Sequence, residues 1–123
     1  MIARLAATSL AALSIAAAPA DDGVAAMVGS WTVDLRLDLA DAPYTQPMTL
    51  AIADDGAVTG LFYNSAIIAG HAGSAQGRRC VAFRTTDGQG LYHTSACLVD
   101  GKMIGQTWAE GRNFVLPWTA TRG

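Results

Sequence analysis

Apolar and polar residues alternate with a period of two through most of the chain between residues 29 and 122. That period places successive side chains on opposite faces of an extended backbone, so it predicts strands and no helix. In "SWTVDLRL" (30–37), Trp31, Val33, Leu35 and Leu37 share one face, and Thr32, Asp34 and Arg36 share the other. "DLADAPYTQP" (38–47) reads as a loop, because Pro43 and Pro47 lack the N–H that a ladder uses. "MTLAI" alternates Met48, Leu50 and Ile52, and "DDG" at 54–56 predicts a tight turn. "AVTGLFYNSAI" (57–67) then returns with Val58 beside Ile52. "RCVAFRTT" (79–86) and "LYHTSACLV" (91–99) form a hairpin around "DGQG". "DG" at 100–101 is a strong two-residue turn signal, followed by "KMIGQTWAE" (102–110) and "NFVLPWTATR" (113–122).

These segments make seven strands with room for an eighth. The Gly-rich "IAGHAGSAQG" (68–77) suits a loop or a weak strand, so whether residues 66–77 complete the sheet stays open. Consecutive strands joined by short turns form a meander whose two edges need protection, and closing the sheet removes them. The expectation is an all-β fold, a small antiparallel up-and-down β-barrel of seven to eight strands. An open sandwich of two sheets is the alternative.

Turn positions also set the register. Counting outward from the Gly88–Gln89 midpoint, Ala82 meets Ser95, Arg84 meets His93 and Cys80 meets Cys97. From the 100–101 turn, Leu98 meets Met103, Ser95 meets Gln106 and His93 meets Trp108. From a Gly111–Arg112 turn, Thr107 meets Leu116 and Gly105 meets Trp118, leaving space under that indole. One face then carries Val81, Phe83, Ala96, Leu98, Met103, Phe114, Leu116 and Trp118, as a packed interior would. The other carries Arg84, His93, Ser95, Gln106 and Trp108. This polar row is either the outer wall or the lining of a cavity, since a one-residue slip exchanges the two faces.

The first twenty residues change the setting. "MIARLAATSLAALSIAAAPA" has a basic start at Arg4, a short apolar run and an A-x-A site at 18–20, the pattern of a secretory signal peptide. The expected organisation is a signal peptide (1–20), a flexible N-terminal arm (21–28) and a barrel domain (29–123), in a periplasmic or secreted protein. Without Arg4 the chain holds seven basic against ten acidic residues, a net charge of −3. Lys102 is the only lysine, and no basic patch appears. Nucleic acid is therefore not an expected partner, nor is membrane insertion after cleavage. In an oxidising compartment, directly opposed Cys80 and Cys97 are within reach of a disulfide. A zinc site would need more ligands, and a redox pair is more often C-x-x-C.

"GSWTVDL" (29–35) resembles the first strand of the calycins, the superfamily of lipocalins, fatty-acid-binding proteins and avidins, which often begins G-x-W. The resemblance implies a barrel in which Trp31 and Trp118 are structural and Arg122 packs over Trp31. "DDGAVTGLFYNSAI" and "IGQTW" are similar to avidin segments that contact biotin. That likeness implies ligand-binding roles for Tyr63, Ser65 and Trp108, with Phe62 aligned by strict counting. Val33, which cannot donate, stands where avidins place a biotin-binding Asn, so biotin is not the implied ligand. The chain also resembles small secreted barrel proteins of proteobacteria. A looser likeness is to periplasmic metalloprotease inhibitors, whose N-terminal arm enters the enzyme cleft.

Hydrolase and cofactor motifs are absent from the sequence, and no cofactor is implied. His71 and His93 are the only imidazoles. His93 and Ser95 lie two apart on one strand face, too far for a catalytic hydrogen bond, and Asp87 at the hairpin tip reaches His93 poorly. A metal would need His71 to approach His93 with a carboxylate. The expected function is non-enzymatic: binding a small apolar or amphipathic molecule in or at the mouth of the barrel. The candidate residues are Tyr63, Ser65, Arg84, His93, Ser95, Gln106 and Trp108. The alternative is a protein-binding module, such as a protease inhibitor or envelope accessory protein.

Overall fold

The computed structural model describes residues 23–123; the expected signal peptide and Asp21–Asp22 lie outside the described residues. The alternating segments form β1 (Gly29–Asp34), β2 (Thr45–Ile52), β3 (Ala57–Phe62), β4 (Ser65–Ala66), β5 (Ile68–Ala75), β6 (Arg78–Thr86), β7 (Leu91–Val99), β8 (Lys102–Ala109) and β9 (Phe114–Arg122). Every neighbouring pair is antiparallel. β9 returns to β1, and β2 pairs with both β1 and β3, so the sheet closes. Eight strands make the barrel, and the two-residue β4 is an extra strand on β3. Closure leaves no open edge, which is the physical reason the barrel prevails over a sandwich.

The Asp100–Gly101 turn follows the predicted chemistry, and Gln76–Gly77 adopts the same form. Asp100–Gly101 and Gln76–Gly77 both have positive φ at the two central positions, the hairpin geometry that matches strand twist. Expected pairings around the second half of the barrel are present. Cys80 faces Cys97, Arg84 faces His93, His93 faces Trp108 and Gly105 faces Trp118. The two cysteines are joined in a disulfide.

Four expectations are corrected. Leu37 leaves the barrel face: β1 ends at Asp34, and Leu37 is 84% exposed in the following loop. β2 begins at Thr45 and includes Pro47. The Pro47 carbonyl accepts from the Tyr63 N–H on the β3 side, so its missing donor faces a place where β3 has already ended. The segment 57–67 is not one strand but breaks at Tyr63–Asn64, both left-handed, in a two-residue turn closed by the Phe62–Ser65 pair. The arm over 21–28 is not free along residues 23–28. Gly23–Met27 form a 3-10 turn with Met27 fully buried.

The open question at 66–77 resolves as β5, which completes the barrel between β3 and β6. Its register against β6 shifts by one between Ile68 and His71, with Ala69 at positive φ. That bulge breaks the alternation and makes the segment illegible by period alone.

Inside, side chains stack in rows across β6 to β9. Val81, Ala96, Gly105 and Trp118 form one row. Phe83, Thr94, Thr107 and Leu116 form the next. Thr85, Tyr92, Ala109 and Phe114 form the last. The first row lies toward the closed end of the barrel. There the 3-10 turn packs against β2, β5 and β6. Trp31 Nε1 donates to the Met27 carbonyl at 3.0 Å. The Arg122 guanidinium lies 4.0 Å above the Trp31 ring and donates to the Val28 and Ala26 carbonyls at 2.7 and 2.6 Å. The cation–π contact and two charge-assisted bonds fasten this end. Met27, Trp31, Val33, Met48 and Met103 fill it.

Candidate functional site

The other end is built differently. Four connections converge on it: the loop after β1, the β3–β4 turn, the β6–β7 hairpin tip and the Glu110–Arg112 3-10 turn before β9. A cavity of about 510 Å³ opens between them. Leu35, Phe62, Thr85, Thr107, Ala109 and Leu116 line its depth. Tyr44, Tyr63, Tyr92, Asp87, Arg112 and Phe114 stand nearer the rim, with Leu37 overhanging from the loop. The volume falls in the range of small-molecule sites, and an apolar wall with few polar groups is their usual makeup.

The rim is tied together by hydrogen bonds. Tyr92 donates to Asp87 Oδ2 at 2.7 Å, and Arg112 reaches the same oxygen at 3.3 Å. The Tyr92 hydroxyl, then the Gln89 backbone N–H, hold the Asp87 carboxyl below the usual aspartate value. The same bond to Asp87 raises the Tyr92 phenol. Tyr44 and Tyr63 share a hydrogen bond between hydroxyls, with rings edge-to-face at 6.3 Å. That bond, with burial second, raises the Tyr63 phenol. Tyr63 reaches this position through its left-handed backbone, a conformation that is uncommon for a bulky residue.

The loop carrying Leu37 and Tyr44 is held by Arg36. Its guanidinium grips Asp34 at 2.6 Å and donates to the Leu39 and Asp41 carbonyls. The Arg36 side chain, then its backbone N–H, lower the Asp34 carboxyl. Under the rim, the Thr94 and Thr107 hydroxyls bond at 2.8 Å, and Trp118 Nε1 donates to Thr107 Oγ1 at 3.0 Å.

The seven sequence candidates divide between two places. Tyr63 and Ser65 line the mouth. Arg84, His93, Ser95, Gln106 and Trp108 do not; their row is the outer wall. There His93 stacks on Trp108 at 5.3 Å and bonds Glu110 at 2.7 Å. A shallow groove of about 590 Å³ runs over this row and opens to solvent. The acid beside His93 is Glu110, and Asp87 is committed to Tyr92. His93 and Ser95 share no hydrogen bond, so no nucleophile–base pair forms there. Among the described residues no group of three His, Cys, Asp or Glu side chains is placed to hold a metal ion.

Sequence reasoning did not select Tyr44, Thr85, Asp87, Thr107 and Arg112 as site residues. The signal for them was connectivity. In an up-and-down barrel alternate turns share one end, so residues flanking the 63–64, 87–90 and 110–113 turns must converge. Comparison with protein-family models, with curated proteins and with solved structures finds no match for the chain.

Proposed function

We propose that the protein is a non-enzymatic, exported binding protein that takes one small amphipathic molecule into the open mouth of its barrel. The observation that carries this reading is the mouth cavity itself: apolar in depth, rimmed by three tyrosines and an Asp–Arg pair, and opposite a packed end. The Cys80–Cys97 disulfide supports an oxidising compartment. A calycin-like relationship is supported by the Trp31–Arg122 contact at the packed end.

The fluorescent naphthyl ketone prodan tests it. Prodan should bind with one-to-one stoichiometry and a blue-shifted emission. Leu116→Trp, which fills the cavity from β9, should weaken binding by about tenfold or more through lost apolar contact. Trp108→Ala on the outer wall should leave it unchanged.

The alternative, a protein-binding module, is favoured by one feature. Ile68, Arg84, His93, Trp108 and Val115 form a continuous cross-strand row on the outer wall, with Trp108 44% exposed. Trp is a frequent interface anchor. Loss of prodan binding in Trp108→Ala but not in Leu116→Trp would move the site to that wall.

A further inference from the structure

One buried polar group in the mouth has no partner. Thr85 is only 4% exposed and lines the cavity, yet its hydroxyl makes no hydrogen bond within the described residues. Its β6 neighbour shows the contrast: Thr86 Oγ1, at the exposed hairpin, donates to Gly90 O and accepts from Gly88 N–H. Buried polar groups are nearly always satisfied, and an unmet one costs stability. The row beneath adds to the imbalance. Thr94 and Thr107 hold two hydroxyl protons but share one hydrogen bond, and the Trp118 proton is already given to Thr107. One hydroxyl proton of that pair is left over, and it lies on Thr107, a cavity-lining residue, when Thr94 is the donor of their bond. This end of the lumen thus has more hydrogen-bond donors than it uses.

We infer that the mouth selects molecules whose inserted end carries a hydrogen-bond acceptor such as a carbonyl, received by the Thr85 hydroxyl. This rests on the mouth-binding reading above and adds the class of ligand. The molecule has an acceptor at its buried end, an apolar body against Leu35, Phe62 and Leu116, and a polar outer end among the rim phenols. A carbonyl oxygen accepts the Thr85 proton that otherwise has no acceptor. A purely apolar ligand leaves the Thr85 hydroxyl unmet and is disfavoured.

The test compares prodan with dimethylaminonaphthalene, which has the same ring system without the ketone. Wild-type protein should favour prodan by about fivefold beyond the difference in their partition into octanol, the value of one neutral hydrogen bond. Thr85→Val, which keeps the shape and removes the hydroxyl, should abolish that preference while leaving the thermal midpoint equal or higher. Thr85→Ser should retain the preference. Equal binding of both dyes, or an unchanged preference in Thr85→Val, overturns the inference and leaves the mouth site standing. Failure of both dyes to bind, or binding insensitive to Leu116→Trp, overturns the mouth reading and this inference with it.

Discussion

The two ends of this barrel use similar residue types to opposite effect. At the packed end a tryptophan, three methionines and an arginine interlock until Met27, Trp31, Met48 and Met103 are all at most 1% exposed. At the mouth, aromatic side chains of comparable bulk stand apart: Tyr44, Tyr63 and Phe114 remain nearly half exposed around a cavity. The difference lies in what crosses the end. The 3-10 turn brings Met27 across one opening, and Arg122 bolts it to Trp31. Across the other opening the connections run around the rim, joined to one another by phenols and an ion pair. An eight-stranded barrel is just wide enough for either outcome, so the crossing segment decides whether the lumen is core or site.

The contrast is most strongly broken at Trp31. Trp31→Ala removes the largest buried side chain of the packed end and should lower unfolding free energy by about 3–5 kcal/mol in urea titration. A loss near zero would mean that this end is not the main source of stability. Next is the clasp on the outer face of β6 and β7. Opening the seventeen-residue separation between Cys80 and Cys97 with a Cys80→Ser/Cys97→Ser pair should cost about 3 kcal/mol in the same assay. The mouth dye site should survive where the protein remains folded.

Gly105 tests the packing of the row that lies toward the closed end, under the Trp118 ring. A Cβ there would sit 2.6 Å from the Trp118 ring and 2.8 Å from the Ala96 Cβ. Gly105→Ala should therefore destabilise by about 1–3 kcal/mol and tilt Trp118, read as a change in near-ultraviolet dichroism. The smallest effect is electrostatic. Asp87 titrates below its usual value in the folded protein, so its rim contacts contribute above the ordinary aspartate range and are lost as pH falls through the lowered value. Tyr92 titrates above its usual value, so its contribution is complete below the ordinary tyrosine range and is lost as pH rises through the raised value. Wild-type thermal midpoints should show a small acid decline that Asp87→Asn removes.

How far the sequence reveals this architecture depends on the local chemistry. Strands with uninterrupted alternation and Gly-containing turns, from Arg78 to Arg122, are legible to the register of single pairs such as Arg84 with His93. β5 is not, because its bulge changes the face that each residue presents. The Tyr63–Asn64 turn is also hidden, since tyrosine is no turn former and takes a left-handed backbone only with surrounding support. The mouth was half legible. Tyr63 and Ser65 lie there, but the polar row from Arg84 to Trp108 faces outward, and alternation cannot distinguish a wall from a lining. Thr85 was hidden for the opposite reason: a threonine on an inward face reads as ordinary strand composition until its missing partner is seen.

The most direct measurement uses the three indoles as reporters of three regions. Trp31 lies in the packed end, Trp118 donates to Thr107 beneath the mouth, and Trp108 lies on the outer wall. In a ¹H–¹⁵N correlation spectrum recorded during prodan titration, the Trp118 indole resonance should shift with saturation while those of Trp31 and Trp108 stay in place. Movement of the Trp108 resonance with Trp118 unmoved would contradict a binding site in the mouth.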